Sequence, residues 1–90
     1  MISIEKLTNN KFKVTVDADN TSAHIVTIQP DDYHSLTGGK ISPERLLRES
    51  FQFLLEREPN TSILREFDLM VIQRYFPEYR AEIQSRSGLG

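Results

Sequence analysis

Between Ser42 and Leu55 the apolar residues spread over about half the circumference of a helix, at 100° per residue, rather than along one narrow stripe. Leu47, Phe51, Leu54 and Leu55 form one side of that arc, and Leu46 and Phe53 widen it. A single sheet needs only a stripe. An arc this wide needs two neighbours, so the helix is expected between a sheet and further helices. Its start is marked by Ser42 as N-cap, Pro43 at the first helical position and Glu44 in the first turn. Its polar face carries Arg45, Arg48, Glu49, Gln52 and Glu56. The end comes at Glu58-Pro59-Asn60, because proline biases the residue before it away from helical dihedrals.

The sheet this helix must cover is written upstream. Met1 to Leu7 alternates, with Ile2 and Ile4 on one side. Phe12, Val14 and Val16 alternate with Lys11, Lys13, Thr15 and Asp17, the period of two of a strand with one buried face. His24 to Gln29 reads as a third strand. Thr8-Asn9-Asn10 and Asp19-Asn20-Thr21-Ser22 join them as short turns, which makes an antiparallel meander the economical topology. One face of such a sheet cannot stay wet, and the helices downstream are its cover.

Between sheet and main helix, Pro30-Asp31-Asp32-Tyr33 opens a short helical turn that Thr37-Gly38-Gly39 closes. Adjacent acids at a helix start point apart and serve as caps, so Asp31 and Asp32 are not read as a catalytic pair. Gly38-Gly39-Lys40 lacks the long glycine turn, and the lysine followed directly by Ser or Thr, of a phosphate loop. What these three residues retain is the potential for a weak anion site.

Beyond Pro59, Ile63, Leu64 and Phe67 form an apolar cluster, and Phe67, Val71, Tyr75 and Tyr79 recur every four residues. This predicts a second helical region to Phe76, either continuous or restarted at Leu69 with Asp68 as its cap. Pro77 interrupts the series. The expectation is one α+β domain over residues 1–84: an N-terminal three-stranded antiparallel meander packed on one face by two or three C-terminal helices. Residues 85–90, polar and glycine-rich, are expected to form a disordered tail.

Chemistry is sparse. The absence of cysteine removes disulfides and thiolate ligands, and His24 and His34 stand ten residues apart with no helical relation. A metal or hydrolytic site would need acids such as Asp31 or Asp32 to converge on one of them. No catalytic, cofactor-binding or metal-binding residue is assigned. The net charge of −2 argues against general attraction to nucleic acid. The arginines from Arg45 to Arg80 are interleaved with Glu44, Glu49, Glu56, Glu58, Glu66 and Glu78, which predicts a mixed surface. The longest apolar run, Leu69-Met70-Val71-Ile72, falls far short of the roughly 20 residues that span a bilayer. With no signal-like start, the expected place is the cytoplasm.

The most distinctive wording is Arg74-Tyr75-Phe76-Pro77-Glu78-Tyr79-Arg80. Aromatic and arginine side chains favour interfaces, and the same residues can close a core. Arg74, Tyr75, Phe76, Tyr79 and Arg80 are therefore the candidate interface residues. Together with the runs from Tyr33 to Glu44 and from Phe51 to Pro59, this segment resembles a family of small uncharacterised bacterial proteins. That resemblance implies no activity. The expected role is a non-enzymatic protein-interaction or self-association domain, with itself or another protein as partner. Nucleic-acid-binding regulation is the first alternative, and a small metal-dependent or hydrolytic enzyme using His24 or His34 the second.

Overall fold

In the computed structural model, which describes residues 1–88, the chain is α+β. Strands β1 (Ile2–Lys6), β2 (Lys11–Asp17) and β3 (Thr21–Thr27) form the expected antiparallel meander. Helices α1 (Pro30–Thr37) and α2 (Pro43–Leu55) follow, then a 3-10 turn at Asn60–Ser62. Strand β4 (Glu66–Asp68) and helices α3 (Val71–Tyr75) and α4 (Tyr79–Arg86) complete it.

The sheet corrects the expectation of three strands. It has four, in the order β1-β2-β3-β4, and β4 runs parallel to β3, so the sheet is mixed. Register pairs Ile25 with Glu66, Val26 with Phe67 and Thr27 with Asp68. Residues 63–76 are therefore neither one helix nor two. Their four-residue apolar spacing is met by an extended segment with Phe67 turned inward, followed by one short helix. Local pattern could not reveal this, because the ladder to β3 is a contact across about forty residues of chain. The third strand also begins earlier than expected, taking Thr21 and Ser22 out of the turn.

The capping chemistry reads as expected at Ser42 and Gly38. Ser42 Oγ accepts from Arg45 N at 3.1 Å, and Gly38 closes α1 at a left-handed φ of 61°. Asp68 departs from its expected role as N-cap of a helix from Leu69: it ends β4, its Oδ1 accepts from Met70 N at 3.0 Å, and α3 starts at Val71 with no side-chain cap. Helix α4 runs to Arg86, so Ser85 and Arg86 of the expected tail are helical, while residues 89–90 lie outside the described residues.

Phe12, Val14, Val16, His24, Val26 and Phe67 all face the helical layer and are buried. Lys11, Lys13, Glu5 and Glu66 face the open side and are exposed. Helix α2 lies over the buried side, with Leu46, Leu47, Phe51, Phe53 and Leu54 sequestered. The second neighbour that its wide arc demanded is α4. Tyr79 from α4 is fully buried, edge-on to Phe53 at 5.4 Å between ring centroids. Ser50 Oγ donates to Leu46 O at 2.7 Å and so accepts from the Tyr79 hydroxyl at 2.6 Å. Outside this contact, the Arg57 guanidinium lies 3.6 Å from the Phe53 ring centroid and pairs with Glu78 at 3.5 Å. Arg86 reaches back from α4 to Glu56 at 2.8 Å, and its hydrogen bond holds the Glu56 carboxyl below its ordinary range.

Burial pushes the Tyr79 phenol well above its ordinary value of 10.0, against a smaller opposing effect of the Ser50 hydrogen bond. The folded chain thus keeps this proton at pH values where the unfolded chain has lost it, so stability falls as pH climbs past 10.0. Tyr79→Phe should cost about 1 kcal/mol at neutral pH, through the lost hydrogen bond. Above the ordinary phenol value the wild type should lose up to about 1.4 kcal/mol per pH unit relative to that variant. Urea denaturation of both proteins from neutral to alkaline pH measures this gap.

Candidate functional site

Two concave regions flank β4, and they differ in chemistry. The first is an apolar groove of about 440 Å³ between the end of α2, the segment leading into β4, and α3. Leu54, Ile63, Phe67, Ile72 and Phe76 form its floor. Leu64, 48% exposed, and Tyr75, 68% exposed, stand at its rim. Glu58 and Ser62 also line it, and the rest of its described lining is aliphatic or aromatic. Glu58 is half-buried and forms no ion pair among the described residues.

The local sequence explains why the groove exists. Pro59 stops α2, and the 3-10 turn carries the chain across the sheet end to begin β4. Helix α3 is only five residues long and buries one residue, Ile72, so it leaves the flank of β4 uncovered. Pro77 then turns the chain so that α4 packs on α1 and α2 instead.

The expected aromatic interface is thereby divided. Tyr79 belongs to the core and Phe76 to the groove floor, while Tyr75 and Arg74 face outward. The Arg80 amide donates to Gln73 Oε1 at 3.1 Å, and its guanidinium donates to Ser35 O at 3.3 Å, which ties α4 to α3 and α1. In the sequence Leu64 reads as part of an apolar cluster and Glu58 as part of the helix stop, and neither is assigned to an interface. The signal that marks them is an apolar residue and an acid on either side of the Pro59 break.

The second region is a polar pocket of about 350 Å³ at the start of β3. His24, 1% exposed, lies on its wall. Its Nδ1 is 2.7 Å from Leu64 O, so Nδ1 carries the proton and donates. Nε2 then accepts from Ser22 Oγ at 2.7 Å. Asn60 Nδ2 donates to Ser22 Oγ at 2.9 Å and to Asn20 O at 2.8 Å. The chain of bonds runs from the 3-10 turn through β3 to the segment before β4, and it engages both nitrogens of the imidazole. It holds β4 against β3.

The other candidates do not converge. His34 is exposed, and no group of three or more acids and histidines is placed to hold a metal ion among the described residues. Asp31 and Asp32 lie in the first turn of α1, but Gln29 holds the N-cap position and no side chain caps the helix, so the expected capping role is not seen. At the candidate anion site the amides are already engaged: Gly38 N donates to His34 O, Gly39 N to Thr37 Oγ1 and Lys40 N to Thr37 O. Arg57 and Arg86 are paired with glutamates, and Arg48 donates to Ile2 O at 2.9 Å.

Comparison with protein-family models, with curated proteins and with solved structures found no match. No described helix is long and apolar enough to cross a membrane. The groove and its neighbouring strand edge therefore carry the functional reading on their own chemistry.

The polar chain of bonds makes a sharp demand on Asn60. Asn60→Ala removes two part-buried hydrogen bonds made by a buried side chain and should lower stability by about 1–3 kcal/mol. Equilibrium urea unfolding checks this. An unchanged midpoint would show that the network does not brace β4.

Proposed function

We propose that this chain is a non-enzymatic protein-binding domain, and that its working surface is the groove beside β4. The occupant is an apolar segment of another polypeptide. One observation carries this reading: an apolar recess has Tyr75 and Leu64 standing exposed at its rim. Buried aromatic anchors dominate binding energy at interfaces, and an exposed aromatic beside an apolar recess offers such an anchor at low entropic cost.

Charge favours another protein over a second copy. The outer side of β4 carries Glu66 and Asp68, and Glu58 lines the groove. Pairing two copies across a two-fold axis at β4 sets these acids against one another, because directly opposed residues share a face of the sheet. A heterologous partner can supply the complementary charge.

Fluorescence polarisation with a labelled, leucine- and valine-rich peptide tests the reading. Saturable binding is expected, and Tyr75→Ser should weaken it about tenfold, which corresponds to about 1.4 kcal/mol. The same substitution should leave the melting temperature nearly unchanged, since the side chain is exposed. Sedimentation velocity should show a monomer. A dimer that Tyr75→Ser dissociates would seat a second copy in the groove instead. Absence of binding together with a monomer would contradict the proposal.

A further inference from the structure

Resting on the groove as the docking surface, we infer that its partner binds as an added β-strand on the free edge of β4, alternating basic with apolar side chains. The backbone decides the first part. Ile25 N donates to Arg65 O at 2.7 Å and Leu69 N donates to Thr27 O at 2.8 Å. The Arg65 carbonyl and the Leu69 amide therefore face β3, and in a parallel ladder so do the amide and carbonyl of Phe67 between them. In a regular strand the intervening groups, those of Glu66 and Asp68, point away from the sheet, and β4 is its last strand. They form a short row of donors and acceptors that another extended segment can pair.

The opposite edge is occupied at one position. Met1 and Asp17 exchange backbone bonds at 2.7 and 2.8 Å, so the outward groups of β1 are those of Ile2, Ile4 and Lys6. Arg48 already fills Ile2 O. Among the described residues no side chain bonds the outward backbone groups of β4.

The faces of the sheet decide the second part. A strand laid beside β4 shares its alternation, so each partner residue opposite Glu66 or Asp68 lies on the open side with those acids. Lysine or arginine suits these positions. The partner residues between them turn toward the Phe67 side, where the groove begins, and apolar side chains suit these. Glu58 adds a third carboxylate to the surroundings.

Four synthetic peptides, titrated by fluorescence polarisation against the full chain, test this. One alternates lysine and valine. The second has the same composition in two blocks. The third alternates glutamate and valine. The fourth is the first with its edge-facing amides N-methylated. The alternating lysine peptide is expected to bind about tenfold more tightly than the block peptide, and the glutamate peptide not at all. N-methylation should abolish binding, because it removes backbone donors and leaves every side chain. Glu66→Lys, at an exposed position, should weaken the lysine peptide about fivefold to tenfold without changing the melting temperature.

Equal binding of alternating, block and N-methylated peptides would overturn strand addition. If Tyr75→Ser still weakened all of them, the groove reading would stand without it. Failure of the lysine peptide to bind, while the leucine- and valine-rich peptide binds, would overturn the charge assignment alone. Failure of every peptide would overturn both readings.

Discussion

Phe12, Val14, Val16 and Val26 present a continuous apolar face that water cannot satisfy, and α2 is laid across it. Each large side chain sequestered there stabilises the fold by roughly 1.5–3 kcal/mol. Helix α2 must be apolar over half its circumference because its far side is also needed, by Tyr79 and Ile83 of α4. The placement of every later element follows from this double duty. Helix α4 takes the second face of α2, and α3 is left short and shallow beside the sheet edge.

The groove is thus a consequence of how the core was distributed. A longer α3 would have closed it. The chain instead invests polar groups in holding β4 open and in place. Asn60, Ser22 and His24 fix the segment before β4, and Asp68 fixes the segment after it through Met70 N. A three-residue strand has little intrinsic stability, so these side-chain bonds determine that the edge exists. The buried histidine, which in isolation invites a catalytic reading, is better explained by this mechanical role. Both its nitrogens are satisfied, by Ser22 Oγ and Leu64 O, and among the described residues it bonds to no carboxylate.

The α+β class, the meander and the helix starts at Pro30 and Ser42 were legible because each rests on local chemistry. Alternation in Phe12-Lys13-Val14-Thr15-Val16 can mean little else, and Ser42-Pro43-Glu44 is a cap with its own hydrogen bond. Residues 63–76 were not legible, because spacing by four serves a helix and an inward-facing residue followed by a short helix equally well. The deciding partner was β3, about forty residues away. The aromatic segment showed a further limit. Its composition marked an unusual surface, yet only packing could send Tyr79 into the core and Tyr75 outward. Leu64 and Glu58 acquire meaning only once the chain has turned at Pro59 and set them around one recess.

We place the partner on one surface made of the free edge of β4 and the groove beside it. Amide hydrogen exchange, followed by NMR as the alternating lysine–valine peptide is added, tests it at single residues. The account predicts that the outward amides of Glu66 and Asp68 exchange fast in the free protein and slow by at least about tenfold at saturation. Those of Phe67 and Leu69, already paired with β3, should change little. Unchanged exchange at Glu66 and Asp68 in the presence of bound peptide would contradict it.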